Sequence, residues 1–261
     1  MPRLPLLSFL AVCAGCSSPT TRPAADPPAT EVATEDVPRY DQPFAQAVSN
    51  DPGDDQLPPP ATTVGGKNTA LLREAVEREW PNTKLSETAA WTVTLETDLG
   101  PIEIRLRPAL APNHCRNLIA LTRAGYYDGL RFDRIVRHDA ESPDGQRSRV
   151  ELVRFGCPTG TGDPGVGHLG YHLKSEFSDA KHEAGTVGFD REKDASSAGV
   201  RLYITLKPAP ALDGNYTVVG TVTKGLDVVE RIAAGRLLPD DPTGEMPERP
   251  VVIRRAVASE K

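Results

Sequence analysis

Aromatic side chains are scarce in this chain, at 5% of 261 residues, and cysteine occurs only four times. Two of the cysteines, Cys13 and Cys16, fall at the very start, so a disulfide scaffold has at most one bridge, Cys115 to Cys157, to build on. Sequence leaves open whether that pair is bonded or is two buried thiols, because bridge geometry is not readable from it. No apolar run after the first fifteen residues approaches the ~20 needed to span a bilayer. A G-X-Y period is missing, which excludes collagen, and 25 prolines with 22 glycines exclude a pure helical bundle or coiled coil. Excess positive charge is missing too. The net charge is −6, which argues against nucleic-acid binding through a basic surface.

What is present begins with an uneven charge. Between Ser17 and Gly65 there are eight acidic and two basic residues and ten prolines, and the rest of the chain is balanced. Such a stretch cannot bury enough apolar surface to offset the entropy of ordering it. Residues 17–66 therefore read as a disordered, acidic, Pro-rich linker. Ahead of it, Arg3 and the apolar run Leu4–Val12 have the length of a signal peptide. Ala14-Gly15-Cys16 resembles the lipobox of bacterial lipoproteins, although Cys13 stands where that motif usually has leucine. The resemblance implies a signal peptide over 1–16, lipidation of Cys16, and a membrane tether. With Ser17 after the cysteine, it implies the periplasmic side of the outer membrane of a bacterial cell envelope.

Residues 67–88 are expected to carry one amphipathic helix. Leu71, Leu72, Ala75 and Val76 share a side at helical spacing, and Trp80-Pro81 ends the run. From Thr92 the period changes to two. Thr92–Thr97 and Ile102–Leu106 alternate on either side of Asp98-Leu99-Gly100, a hairpin signature. Strands are expected near Leu130–Val136, Glu151–Phe155, Thr186–Phe189, Arg201–Leu206, Thr217–Val222 and Val251–Val257. Helices are expected after Pro112 and over Asp227–Ala234, each closed by a glycine. The polar stretch His138–Arg149 reads as a loop.

The run LETDLGPIEIRLRPALAPNHCRNLIALTRAGYYDGLRFDRIV resembles the opening of a cyclophilin-type peptidyl-prolyl isomerase. PTGTGDPG, EFSDAKHEAGTVGF, DASSAG, LYITL, ALDGNYTVVGTV and KGLDVVERI continue the resemblance in order. It implies a mainly β fold over 89–259, a closed eight-stranded antiparallel barrel capped by two helices. It also implies rotation about X-Pro peptide bonds in proline-containing segments of partner proteins, here exported ones, by a monomer without cofactor.

That reaction breaks no covalent bond. The barrier of ~18–20 kcal/mol comes from double-bond character in C–N. A protein lowers it by donating a hydrogen bond to the prolyl nitrogen, or by holding the ring in an apolar pocket that favours the twisted state. An arginine suits the first task, being always charged and rich in donors. The family's Phe-His-Arg triplet appears here as Phe132-Asp133-Arg134, which implies Arg134 as the catalytic group. The implied pocket is Phe132, Leu152, Arg154, Arg201, Tyr203, Leu212 and Tyr216. Leu152 replaces methionine, Arg154 and Arg201 replace glutamines, Tyr203 replaces phenylalanine, and Tyr216 stands where many members have histidine. Glu151 replaces the pocket phenylalanine.

Charges crowded beside one pocket must pair or stay wet, and Glu151 or Asp190 is the expected partner of Arg154 or Arg201. Two functions follow. One is a membrane-tethered isomerase assisting the folding of exported proteins. The other is a catalytically reduced module that binds an envelope protein or peptide. They are told apart by whether Arg134 is free or locked in a salt bridge. His168 and His172 lack a third ligand, so no metal is expected.

Overall fold

The period-two stretches become strands of one antiparallel sheet. The structure, a computed structural model, describes residues 40–49, 56–141, 145 and 147–260. The signal-like segment, Cys16 and the first part of the acidic linker lie outside the described residues. Helix α1 (Phe44–Ala47) and strand β1 (Val48–Ser49) come first, then helix α2 (Thr69–Glu79). Strands β2 (Trp91–Thr97) and β3 (Gly100–Leu106) form the expected hairpin, with Thr97 opposite Gly100. After helix α3 (Pro112–Arg123) come β4 (Phe132–Glu141), β5 (Arg147–Phe155), β6 (His172–Leu173), β7 (Thr186–Phe189) and β8 (Leu202–Thr205). Strand β9 (Val218–Lys224), helix α4 (Leu226–Ala233) and β10 (Ile253–Glu260) complete the chain.

Eight strands pair in the order β10-β2-β3-β9-β7-β8-β5-β4. The expectation of a closed barrel needs correction, because no ladder joins β10 to β4. These edges meet at one bridge, Arg131 to Val252, where the Phe132 N–H donates to the Val251 carbonyl at 2.9 Å. Above it, the Ile135 N–H donates to the Glu245 carbonyl. The segment 236–250 thus occupies the β4 edge, and its Pro247 and Pro250 have no N–H with which to extend a ladder.

Two further expectations change. The stretch His138–Arg149 is mostly strand, since β4 and β5 run past the sheet body as a two-stranded arm that pairs out to Glu141 opposite Arg147. Parts of the expected linker are also packed. Residues 40–49 carry α1 and β1, and β1 pairs with β6. The Leu57 N–H donates to Gly165 and the Val64 N–H to Pro158. Helix α2 begins at the N-cap Asn68, whose side chain accepts from the Leu71 N–H, and it buries Leu72 and Val76. It packs on α3, which is buried from Pro112 to Thr122. Among the described residues no helix is long and apolar enough to cross a membrane. Cys115 and Cys157 are both buried and unbonded, and burial pushes the Cys115 thiol far above its ordinary pKa.

Candidate functional site

Strand parity divides β5 between two apolar clusters. Val153 and Phe155 face the main core, while Val150 and Leu152 face a smaller cluster with Val136, Tyr203, Ala209, Ala211 and Leu212. On β4 a bulge does the sorting. Phe132 opposes Phe155 and Arg134 opposes Arg154, so Asp133 is the extra residue. Phe132 and Ile135 therefore both point into the main core, and Arg134 and Val136 both point outward. Phe132, read as a pocket residue, is instead a fully buried core side chain with its ring 5.0 Å from that of Phe155.

Across the outward face, ladder partners align Arg134 (β4), Arg154 (β5), Tyr203 (β8) and Gly188 (β7) in one row. Beside it is a cavity of about 40 Å³ lined by His138, Val150, Leu152, Arg154, Asp190, Tyr203, Leu212 and Tyr216. Five of the expected pocket residues, Leu152, Arg154, Tyr203, Leu212 and Tyr216, are thus brought together. Val150 was legible from its period with Leu152. His138 lay hidden in the stretch read as a loop.

The Tyr203 hydroxyl is turned away from reaction chemistry. It lies 2.7 Å from His182 Nε2, and His182 Nδ1 lies 2.9 Å from Asp213 Oδ1. Burial lowers the His182 pKa against the pull of Asp213, so the ring is neutral. The carboxylate needs the Nδ1 proton, which leaves Nε2 to accept from the phenol. Glycine at 188 makes room, since a Cβ there would lie 2.3 Å from the Tyr203 oxygen. What Tyr203 offers the cavity is an aromatic face, edge-on to Tyr216 at 5.8 Å.

The three arginines differ in their partners. Arg201 lies behind the cavity, 5% exposed, and pairs with Asp190 through Nε (3.0 Å) and Nη2, with Glu192 at 3.4 Å. Burial alone would push the Asp190 carboxyl up, but Arg201 and Arg154 outweigh it and hold it below the usual range. Glu151 turns to the rim and pairs with Lys207 at 3.1 Å. Arg134 is 4% exposed. Its Nη1 donates to Thr243 (2.6 Å) and lies 3.3 Å from Asp241 Oδ2, and its Nη2 donates to Asp163 at 3.1 Å. Arg134 is therefore locked. Asp241 is itself held by the Thr243 hydroxyl and the Met246 and Glu245 amides, which with Arg134 keep its pKa well below the usual range. A partner 107 residues away left no local signal in the sequence. Among the described residues Arg154 makes only one ion contact, Nε to Asp190 Oδ1 at 3.6 Å, and its buried Nε–H has no hydrogen-bond acceptor.

Asp133 is almost fully buried beneath this row. Its Oδ2 accepts from the Cys157 N–H at 3.2 Å and its Oδ1 has no hydrogen-bond partner. Burial lifts its pKa to about 6, against the opposing pull of Arg201. Among the described residues no group of three or more His, Cys, Asp or Glu side chains could hold a metal ion.

The family described as cyclophilin type peptidyl-prolyl cis-trans isomerase matches residues 92–258. A peptidyl-prolyl cis-trans isomerase of Arabidopsis thaliana is 34% identical over 143 residues, covering 54% of this chain and 80% of the relative. A probable peptidyl-prolyl cis-trans isomerase of Brucella suis is 35% identical over 148 residues, 55% of this chain and 72% of the relative. A Cryptosporidium parvum isomerase of the cyclophilin type, solved in the presence of the dipeptide Ala-Pro, shares the fold. It matches with a TM-score of 0.51 and 23% identity over 65% of this chain and 99% of that one.

Proposed function

The chain belongs to the family of cyclophilin-type peptidyl-prolyl cis-trans isomerases, and from that premise we propose that it isomerises X-Pro bonds of exported proteins in the groove beside Leu152, Tyr203 and Leu212. The observation that carries this is the row Arg134–Arg154–Tyr203, of which Arg154 and Tyr203 line the cavity together with Val150, Leu152 and Leu212. The cavity walls Val150, Leu152, Leu212 and the Tyr203 ring favour the twisted amide, which is less polar than the planar one. A guanidinium from the Arg134–Arg154 pair donates to the prolyl nitrogen as it pyramidalises, and Arg134 holds the position that the family resemblance gives to catalysis. No group is transferred, so neither metal nor cofactor is needed, and a monomer suffices.

The setting is proposed from the sequence. Cys16 carries lipid, the acidic residues beyond it act as a spacer, and the domain works at the bacterial cell envelope on the periplasmic side of the outer membrane. Its support is the run Leu4–Val12 followed by Ala14-Gly15-Cys16. A Cys16→Ala chain should move from the membrane fraction to the soluble one, and retention in the membrane would overturn the anchor.

One observation favours a second reading, a module that binds peptides without turning them over. Arg134 is locked between Asp163 and Asp241. Exchange measurements on X-Pro peptides decide the matter. Turnover by the full chain that is lost in an Arg134→Ala/Arg154→Ala double variant supports the isomerase. Binding with turnover no greater than that of the double variant supports the module.

A further inference from the structure

We infer that Arg154, rather than Arg134, presents the hydrogen-bond donor to the prolyl nitrogen in this protein. This rests on the isomerase reading and decides between the two arginines of that site.

The two side chains are direct ladder partners on the same outward face, so either could have served. Their surroundings separate them. The guanidinium of Arg134 lies between two segments. Asp163 holds it from one side, and Asp241 with Thr243 hold it from the other. Gly162 closes over its stem, where an added Cβ would lie 2.6 Å from Arg134 Cγ and 2.7 Å from Nε. Arg134 does not line the cavity, and exposing it requires breaking two ion pairs. One of its carboxylates, on Asp241, is fixed by three further donors.

Among the described residues Arg154 is the only arginine lining the cavity. It stands between Arg134 and Tyr203 in the row, next to Leu152, with its side chain 24% exposed. Asp190 sets its charge balance without consuming its donors. Arg201 takes Asp190 Oδ2 through two nitrogens, while Oδ1 lies 3.6 Å from Arg154 Nε, beyond hydrogen-bond reach. The Nε–H is buried and without an acceptor, so what Arg154 can present to the cavity is its pair of Nη groups, for which no hydrogen bond is found among the described residues. Two other polar groups of the wall are engaged elsewhere. The Tyr203 hydroxyl is spent on His182, and His138 is half exposed near Glu245. A prolyl nitrogen gains acceptor character only as the amide twists, so a donor that meets it there acts on the transition state more than on the ground state.

The test compares Arg154→Gln, which restores the family's residue, with Arg134→Lys, which keeps a cation for Asp241 and so protects the fold. Both are made in the full chain and assayed by exchange on Ala-Pro peptides, after thermal unfolding has shown each variant folded. Arg154→Gln is expected to lower kcat at least tenfold with little change in KM, and to cost more than Arg134→Lys. Arg154→Lys should recover part of the loss. In ¹⁵N spectra the Arg154 Nη–H signals are expected to shift on adding an Ala-Pro peptide. A loss from Arg134→Lys equal to or larger than that from Arg154→Gln overturns the inference and leaves the isomerase standing. Turnover absent from the unmodified chain overturns the isomerase reading itself.

Discussion

At the residue scale the groove is built on one buried ion cluster. Asp190 balances Arg201 directly and Arg154 at a distance. Removing one partner of such a pair leaves an uncompensated buried charge and costs about 3–5 kcal/mol. Asp190→Asn is therefore expected to destabilise the protein by that order in urea unfolding. Adding Arg201→Gln, the family's residue, should restore much of the loss, and simple additivity of the two changes would contradict the pairing. Asp133 makes a second prediction. Its carboxyl titrates near 6 in the folded protein and near 3.9 when unfolded. Between those values the folded state binds the extra proton, so its contribution to stability falls as pH rises from about 4 to 6 and is flat above. The stability of Asp133→Asn relative to the unmodified chain should climb across that window by up to about 3 kcal/mol. A pH-independent difference between the two unfolding midpoints would contradict the assignment.

At the element scale, what was legible follows from which faces are buried. The β2–β3 hairpin and α4 each bury an apolar face and were readable from their periods, whereas α3, bounded by Pro112 and Gly125, is buried on all sides and β7 on both faces. The arm of β4 and β5 was not readable, because both of its faces are solvated and no hydrophobic alternation marks it. What marks it is charge placed across the ladder. Asp139 opposes Arg149 at 3.4 Å, and Glu141 opposes Arg147 at 3.2 Å. Pairs this exposed are worth about 0.2–1 kcal/mol each, so the arm is held weakly and on its own account. Placing like charges opposite one another, with Asp139→Lys and Glu141→Lys together, should loosen the arm. Amide exchange at residues 137–141 is expected to quicken, with thermal unfolding of the whole domain shifted by no more than about 2–4 °C. An unchanged exchange rate would show that other contacts hold the arm. The bulge at Asp133 was equally silent in the sequence, yet it sends Phe132 inward and leaves Arg134 outside.

At the scale of the whole molecule, the domain recruits chain from far outside the sheet. Composition placed residues 40–49 in the linker because proline, alanine, threonine and aspartate fill much of residues 17–65, and composition cannot show that one side chain finds a seat. Phe44 lies edge-on to both Trp80 and Tyr171, 5.1 Å from each ring. The backbone on either side supplies acceptors. The Gln42 carbonyl takes the Trp80 Nε1–H at 2.9 Å and Arg116 Nη1 at 2.9 Å, and the Tyr40 carbonyl takes Arg116 Nη2. Arg116 is 3% exposed in the middle of α3, so these carbonyls satisfy a charge that has little water around it. Beginning the chain at Gly66 would remove the ring, worth about 2 kcal/mol, and strip two acceptors from a buried guanidinium, worth about 1–3 kcal/mol. For a domain of this size that amounts to a fall in Tm of the order of 10 °C relative to a chain beginning at Tyr40. Phe44→Ala in the longer chain should reproduce roughly half of the fall, since it empties the seat between Trp80 and Tyr171 but leaves the carbonyls. Equal Tm values for the two chains would mean that the segment rests on the domain without stabilising it. The expected difference would make the folded unit begin near Tyr40, more than forty residues ahead of the first strand of the large sheet.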